Sequence, residues 1–454
     1  MRRPRTRQTR GNDRPTPKAE EVANVRIEGI AAGGAGVGRI AGLTCFVPRT
    51  AIGDVAQVAY VNHGRYARGR VLQLLEHSSD RVEPRCAHYV KDACGGCQLQ
   101  HLSGDAQRDA RRLIVRDALQ RVARREVPLP ELVSGPEWGY RERLTLTLRQ
   151  KGAAWIGGLV PITHTSGVFA LEECAIAHPL LVDVWHGLRS MLRGMPAIAA
   201  ASAALASAPL RLSLRIERRD EDAEDAATRV SLVVIGGVRW PERESWAAHV
   251  GEALPSVGDI WWEPEGSVAV QLAGAPARDA LAFAQVNRSI ASQLRDYVLA
   301  TVRGVGPSRV IDAYSGRGDL SVRLAESGIA VTAIESDASA TARAAERLRA
   351  FPSVRVVTAL VEEAIDDALA SSASAAVVVL NPPRRGVDIR VTAALADAYD
   401  QGVRGIVYVS CDPATLARDV ARLGRWRIAE LRCFDMFPQT AHVETVCLLV
   451  PEDA

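Results

Sequence analysis

The chain has 454 residues, with 56 Lys plus Arg against 53 Asp plus Glu, a formal net charge of +3, and 47% of its residues apolar. At about 100 to 200 residues per domain this is two or three domains, and 24% charged residues beside that apolar share exclude a disordered, collagenous or long coiled-coil chain. No run reaches the roughly 20 apolar residues of a membrane-spanning helix, and the basic start lacks the apolar core and cleavage site of a secretory leader. A cytoplasmic protein with no membrane partner is expected.

Residues 1–20 carry seven cations and two anions, a basic tail expected to be flexible, so the remaining chain is slightly acidic. Only Lys18, Lys91 and Lys151 are lysines. The arginine excess suits phosphate contact, although a GC-rich coding sequence produces it equally well.

From Asn24 the apolar residues alternate in short runs, around Val25 and Ile27, over Asp54 to Val61 and over Arg70 to Leu75, with glycine turns between them. This predicts a small five-stranded OB-like β-barrel over about 21–80. A third piece, 81–280, opens on Cys86, Cys94 and Cys97 and continues with a predicted basic amphipathic helix from Arg108 to Arg124. Arg141 to Arg149 and Arg211 to Glu217 alternate leucine or isoleucine with arginine, threonine or serine, which makes strands buried on one side, with an arginine-bearing face available to RNA or to solvent. The stretch Met195 to Leu210 is broken by Pro196 and Pro209 and reads as a loop or weak helix. The fourth piece, 281–454, alternates strands (Arg309 to Ala313, Ile329 to Ile334, Val354 to Thr358, Ala376 to Leu380, Gly405 to Val409) with helices, the pattern of a doubly wound α/β sheet.

In a reducing compartment the eight cysteines are expected as free thiols. Cys86-x7-Cys94-x2-Cys97, with the isolated Cys174 as fourth member, has the count for an iron-sulfur cluster or for zinc, and packing without metal is the remaining reading. Cys45, Cys433 and Cys447 lie in apolar runs and are expected in the core.

Val310 to Leu320 reads as strand, Gly316-x-Gly318 turn and helix start, and Glu335 ends the next strand, where a carboxylate can accept ribose hydroxyls. No third glycine stands at the phosphate position, which favours S-adenosylmethionine over a dinucleotide. Asn381-Pro-Pro-Arg384 and Ser410-Cys-Asp-Pro413 follow the fourth and fifth strands, at the ligand edge of such a sheet. A helix predicted from Ala414 would favour the Cys411 thiolate. Near the end, His442 and Glu444 share one side of an extended segment, and either could act as a base.

Together Phe283-Ala-Gln-Val-Asn287, Asp312-Ala-Tyr-Ser-Gly-Arg-Gly318, Asn381-Pro-Pro-Arg384, Ser410-Cys-Asp-Pro413 and Phe437-Pro-x-Thr-x-His-Val-Glu444 resemble the S-adenosylmethionine-dependent RNA (uracil-C5)-methyltransferases, over nearly the whole chain. The resemblance is to the branch that acts on 23S rRNA, with tRNA as the alternative substrate. It implies a multidomain protein: a TRAM barrel of OB type, an α+β central domain with iron-sulfur cysteines, and a Rossmann-like methyltransferase domain. It implies a monomer with S-adenosylmethionine and a [4Fe-4S] cluster on Cys86, Cys94, Cys97 and Cys174. Cys411 would add to uracil C6, Glu444 would remove the C5 proton, and Gln285, Tyr314, Gly316, Gly318, Glu335 and Asn381 would line the cofactor or uracil site. The chain departs from the family at Asn381, where Asp is usual, and in the seven residues between Cys86 and Cys94, where five are common. The first departure leaves a catalytically impaired RNA-binding relative as an alternative. An amino-group methyltransferase, suggested by Asn-Pro-Pro, is a further one, but Arg384 replaces its aromatic residue and it has no use for Cys411.

Overall fold

The structure is a computed structural model that describes residues 20–151, 154–162, 167–193, 195, 210–217, 228–274, 285–371 and 375–452. The basic tail up to residue 19, nearly all of the 195–210 stretch, and Phe283 with Ala284 lie outside the described residues. Two compact units are separated near Arg81.

In the first unit, β1 (Glu21–Ile30), β2 (Ala35–Ile40), β3 (Leu43–Pro48), β4 (Val55–Asn62) and β5 (Ala67–Glu76) form a closed barrel. Closure comes from the antiparallel pairing of β1 with both β2 and β4 and the parallel pairing of β3 with β5. Alternation drives it: Val25, Ile27, Cys45, Val47, Ala56 and Val58 point inward and are buried, while their neighbours face out. Buried Asp54 accepts from Ala51 N, Ser78 N and the Arg81 guanidinium, which fixes the turn entering β4.

The second unit begins with α1 (Ala87–Lys91), α2 (Gly104–Ala118) and β6 (Glu131–Val133). There follow β7 (Arg143–Lys151), β8 (Ala154–Leu159), β9 (Phe169–Ala170), α3 (Pro179–Arg189), β10 (Arg211–Glu217), β11 (Arg229–Ile235), α4 (Arg243–Ala253), β12 (Val257–Glu263) and β13 (Val270–Gly274). These strands make a seven-stranded sheet in the order β13-β12-β11-β10-β7-β8-β9. Leu144, Leu146 and Leu148, with Leu212 and Leu214, form one buried face against Leu181, Trp185 and Leu188 of α3 and Trp246 and Val250 of α4. On the other face Arg143 stands directly opposite Arg215. Burial and neighbouring guanidinium groups push both down from the ordinary arginine range, Arg215 to about 10.

The third layer system is α5 (Arg288–Val305), β14 (Arg309–Ala313), α6 (Asp319–Glu326), β15 (Ala330–Glu335), α7 (Ala338–Leu348), β16 (Val354–Thr358), α8 (Val361–Ala370), β17 (Ala376–Leu380), α9 (Ile389–Ala396), β18 (Val403–Ser410), α10 (Pro413–Ala421), β19 (Trp426–Phe434) and β20 (Glu444–Pro451). Its sheet order is β16-β15-β14-β17-β18-β20-β19-β6. The strands from β16 to β18 are parallel; β15, β14, β17 and β18 are mostly buried, as a doubly wound sheet requires, whereas β16 is a more exposed edge strand. The order reverses between β14 and β17, so a crevice opens beyond their C-terminal ends.

Two features leave no local trace in the sequence pattern. The segment ending at Glu444 is not an isolated extended piece: β20 inserts antiparallel between β18 and β19. Strand β6, from the piece expected to be central, adds in parallel to β19. The predicted basic helix forms as α2 followed by a π-turn at Leu119–Ala123, but its arginines are not a free basic face. Arg111 is 1% exposed and paired with Asp435, Arg108 meets Asp105 and Glu137, and Arg112 meets Asp109 and the Pro130 carbonyl.

Candidate active site

The crevice between β14 and β17 is lined first by the turn after β14. Tyr314 takes a left-handed φ of 62°, and Gly316 and Gly318 follow at 55° and 75°, so three residues in five have positive φ. This sharp reversal aims the backbone N–H groups across the strand end. A Cβ on Gly316 would meet nothing within 4 Å, whereas one on Gly318 would press on Ala344 at 3.2 Å and Leu348 at 3.3 Å. Gly316 therefore leaves open space for a ligand, and Gly318 serves the contact of the α6 start with α7.

Glu335, at the end of β15, accepts from Gly316 N through Oε2 at 3.1 Å and from Ser336 N and Asp337 N through Oε1 at 2.7 and 2.9 Å. A carboxylate has about four acceptor positions, so Oε2 keeps capacity toward the crevice. Beside it the Ser315 hydroxyl is buried with no hydrogen-bond partner among the described residues. Asp312 lies beneath the turn, holds Ser321 Oγ at 2.6 Å, and is pushed up to about 6 by burial. Tyr314 is half-buried, and its hydroxyl is pushed up to about 12, chiefly by burial. An orphaned hydroxyl, an open glycine and a carboxylate with a free lone pair are what a ribose-bearing, phosphate-free ligand needs, so these residues fit S-adenosylmethionine.

Across the crevice, Asn381 follows β17, donates its backbone N–H to the Ala313 carbonyl at 3.3 Å, and exposes its side chain. Gln285 is half-buried, two residues before Asn287, which caps α5 through Ile290 N. The loop carrying Arg384 is pinned by Asp419, which accepts from Val387 N at 3.0 Å and from Tyr408 Oη at 2.8 Å.

The nucleophile candidate and the base candidate meet through strand register. Ser410, the last residue of β18, pairs with Thr445, so Cys411 is carried to a place opposite Glu444, the first residue of β20. Burial pushes the Glu444 carboxyl up to about 7, with Arg384 drawing it down. The Cys411 thiol is also pushed up, by burial first and then by the Glu444 charge, again opposed by Arg384. This corrects the expectation that the helix start favours the thiolate. Asp412 is the N-cap of α10 and already takes Ala414 N and Thr415 N at 2.9 and 3.0 Å, so the helix end has a carboxylate on it. Arg384, named in the sequence only as a motif position, is the cation both groups respond to. His442 is held down by burial and by Arg384, and its ring sits edge-on to Phe437. Of the two base candidates, Glu444 is the one that the strand register sets opposite Cys411.

The four cysteines converge in part. Cys86, Cys94, Cys97 and Cys174 line one cavity of about 130 Å³ with His88, Tyr89 and Arg141, and all four are free thiols. Burial, and the other three thiols with it, push Cys97 up to about 12. Yet no three His, Cys, Asp or Glu side chains among the described residues stand in a metal-holding arrangement. The expected ligand set thus shares a cavity without being assembled around one point. Cys45, Cys433 and Cys447 are 0% exposed core thiols.

Among the described residues no helix is long and apolar enough to cross a membrane. Residues 278–452 match the family model described as tRNA (Uracil-5-)-methyltransferase. Over 97% of the chain and 99% of the relative, the sequence is 30% identical to a 23S rRNA (uracil(1939)-C(5))-methyltransferase of Methylococcus capsulatus. It is 31% identical, over 94% of the chain and 97% of the relative, to an uncharacterized RNA methyltransferase of Thermosynechococcus vestitus. The fold is that of Pyrococcus abyssi tRNA (uracil-54, C5)-methyltransferase in complex with S-adenosyl-L-homocysteine, with a TM-score of 0.61 and 23% identity over 95% of this chain and 100% of that one.

Proposed function

The chain belongs to the family of RNA (uracil-C5)-methyltransferases, and on that footing we propose that it transfers a methyl group from S-adenosylmethionine to C5 of a uridine in 23S rRNA. Support for the rRNA target comes from relatives at 30% identity over nearly their full length that bear that name, whereas the tRNA enzyme shares the fold at lower identity.

The observation that carries the mechanism is the placement of Cys411 opposite Glu444, with Arg384 acting on both. The Cys411 thiolate adds to uracil C6, and the C5=C6 electrons move toward O4 as an enolate. C5 then takes the methyl group as the donor's S–CH3 bond breaks, leaving a neutral thioether. Glu444 accepts the C5 proton, the C5=C6 bond re-forms, and the C6–S bond breaks to release Cys411. This is covalent catalysis followed by general-base elimination. Arg384 stabilises both anions in a crevice where burial penalises them. Glu335 holds the donor's ribose, while Gly316 and Ser315 leave room and a hydroxyl for it. Gln285, Tyr314 and Asn381 line the donor and uracil, and Asn381 offers a donor as well as an acceptor where a carboxylate offers acceptors alone. The base must leave its stack to enter this crevice.

In the same proposal Cys86, Cys94, Cys97 and Cys174 hold a [4Fe-4S] cluster. Four thiols around one cavity are the donor set for it, and a cation there would favour the thiolates that burial, and to a lesser extent the neighbouring thiols, disfavour at Cys97. When bound, the cluster supplies a cross-link between the α1 region and the segment before α3. We take the chain to work as a tail at 1–20, a TRAM barrel at 21–80, a central RNA-contacting part at 81–280 and a transferase at 281–454.

The test is incubation of the full chain with methyl-labelled donor and unmodified 23S rRNA or tRNA, followed by mapping of 5-methyluridine. Label at one 23S uridine, lost in Cys411→Ala, is the expected result. Label in tRNA alone moves the target, RNA binding without label identifies an impaired relative, and full turnover in Cys411→Ala overturns the covalent route.

A further inference from the structure

Glu444 stands at the end of a loop, Asp435 to Val443, that is unusual in being buried. Asp435, Gln439, Thr440 and Ala441 are 1%, 2%, 2% and 4% exposed. A buried loop must find partners for its backbone polar groups, and here they come from elsewhere in the chain. Arg111 of α2 donates through Nη2 to Asp435 Oδ2 at 2.7 Å and through Nη1 to the Thr440 carbonyl at 2.9 Å, so one guanidinium ties the first residue of the loop to Thr440 in its second half. One turn earlier on α2, Gln107 forms a reciprocal pair with Gln439. Its Nε2 donates to Gln439 Oε1 at 2.9 Å, and its Oε1 accepts from Gln439 N at 3.0 Å.

Between these two clamps Gln439 has a φ of 70°, a left-handed conformation in a non-glycine residue. Such a residue costs about 1–3 kcal/mol and persists only where its surroundings over-determine it. The opposite side of the loop is held as well, since Gln98 N and Leu99 N donate to the Gln439 carbonyl at 3.1 and 3.0 Å and Tyr140 Oη donates to the Pro438 carbonyl at 2.9 Å. The path of this loop sets where β20 begins, and thereby where Glu444 faces Cys411.

We propose that Gln107 and Arg111 are positioning residues for proton removal: they hold the Asp435 to Val443 loop so that Glu444 reaches the C5 hydrogen, a role that rests on Glu444 being the base. Neither residue is placed to touch substrate. Their effect falls on the last step of the reaction, after the methyl group has moved. A general base works only within about 2.6–3.2 Å of its proton, so slackening the loop slows elimination more than binding.

The experiment uses the full chain with RNA tritiated at uracil C5, following tritium release, the covalent RNA–protein adduct, and kcat and KM. Gln107→Met keeps the side-chain volume and removes both hydrogen bonds to Gln439, along with the one that Nε2 donates to the Leu102 carbonyl. It is expected to slow tritium release about 10- to 100-fold, on the scale of about 10²-fold for a misplacement near 1 Å, to raise the steady-state adduct, and to leave the RNA KM and donor affinity unchanged. Arg111→Lys keeps the charge, gives up one of the two hydrogen bonds, and reads the same partition if Gln107→Met does not fold. Glu444→Gln is the reference, with release blocked and adduct trapped. If Glu444→Gln blocks release while Gln107→Met and Arg111→Lys release tritium at the native rate, or lose activity only through KM, the clamp is overturned and the base stands. If Glu444→Gln itself releases tritium at the native rate, the base assignment falls and the clamp with it.

Discussion

Glu444→Gln also makes a stability prediction that needs no substrate. The residue is 6% exposed, and burial pushes its carboxyl up to about 7 from the 4.5 of a free glutamate, with Arg384 acting in the opposite direction. The folded chain therefore keeps this proton at pH values where the unfolded chain has released it. The stability that comes with the neutral carboxyl is complete below about pH 4.5 and is lost as pH rises through about 7. At about 1.36 kcal/mol per pH unit the whole loss is about 3 kcal/mol. Glutamine is neutral throughout and escapes it. Taking about 2.1 cal/mol/K of unfolding entropy per residue over Val82–Ala454, the melting temperature of the variant minus that of the native chain should grow by about 4 °C between about pH 4 and about pH 9. Buried Asp312 shifts in the same direction, pushed up to about 6, but it is present in both proteins and cancels. Calorimetry across that range reads the difference directly. A gap that stays constant, or that widens toward acid pH, would falsify the reasoning.

Glu335→Ala removes the acceptor for Gly316 N, Ser336 N and Asp337 N as well as the ribose contact. Losing a hydrogen bond to a charged group costs about 1.5–3 kcal/mol, so donor affinity by calorimetric titration should fall about 10- to 100-fold with RNA affinity unchanged; unaltered donor binding would remove Glu335 from the site. Cys97→Ser should strip iron and visible absorbance from anaerobically purified protein, and a colourless, zinc-loaded native protein would contradict the cluster outright. Deleting residues 1–20 takes away seven cations and should lower the slope of log affinity against log salt, by about 0.9 for each duplex phosphate that is no longer neutralised; a slope equal to that of the full chain means that the tail does not touch RNA.

Local pattern was enough to read the barrel strands, the leucine faces of β7 and β10, and the alternation of strand and helix from Arg309 to Ser410, because each depends on the spacing of apolar residues within one element. The motifs at Gly316, Glu335, Asn381 and Cys411 were legible for a related reason. They sit at strand ends, and in a parallel sheet with this order all strand ends open on one edge. The sequence pattern did not reveal β6 as a strand of the transferase sheet or β20 between β18 and β19, since pairing between distant segments leaves no local period.

The charges were the least legible part. Arg111 reads in the sequence as part of a basic helix, yet it shares the buried stripe of α2 with Gln107, Ile114 and Val115, and only the approach of α2 to a distant loop supplies its partner Asp435. The thiolate expected at a helix start becomes a raised thiol because folding buries the sulfur and brings Glu444 to face it, while Asp412 occupies that helix end. The sequence by itself determined which chemical groups the protein has and along which edge they lie. The tertiary structure alone decided which of them are charged and how far the base can move, because a pKa depends on the burial and neighbours that folding brings together, and a loop's freedom depends on what grips it from outside its own segment.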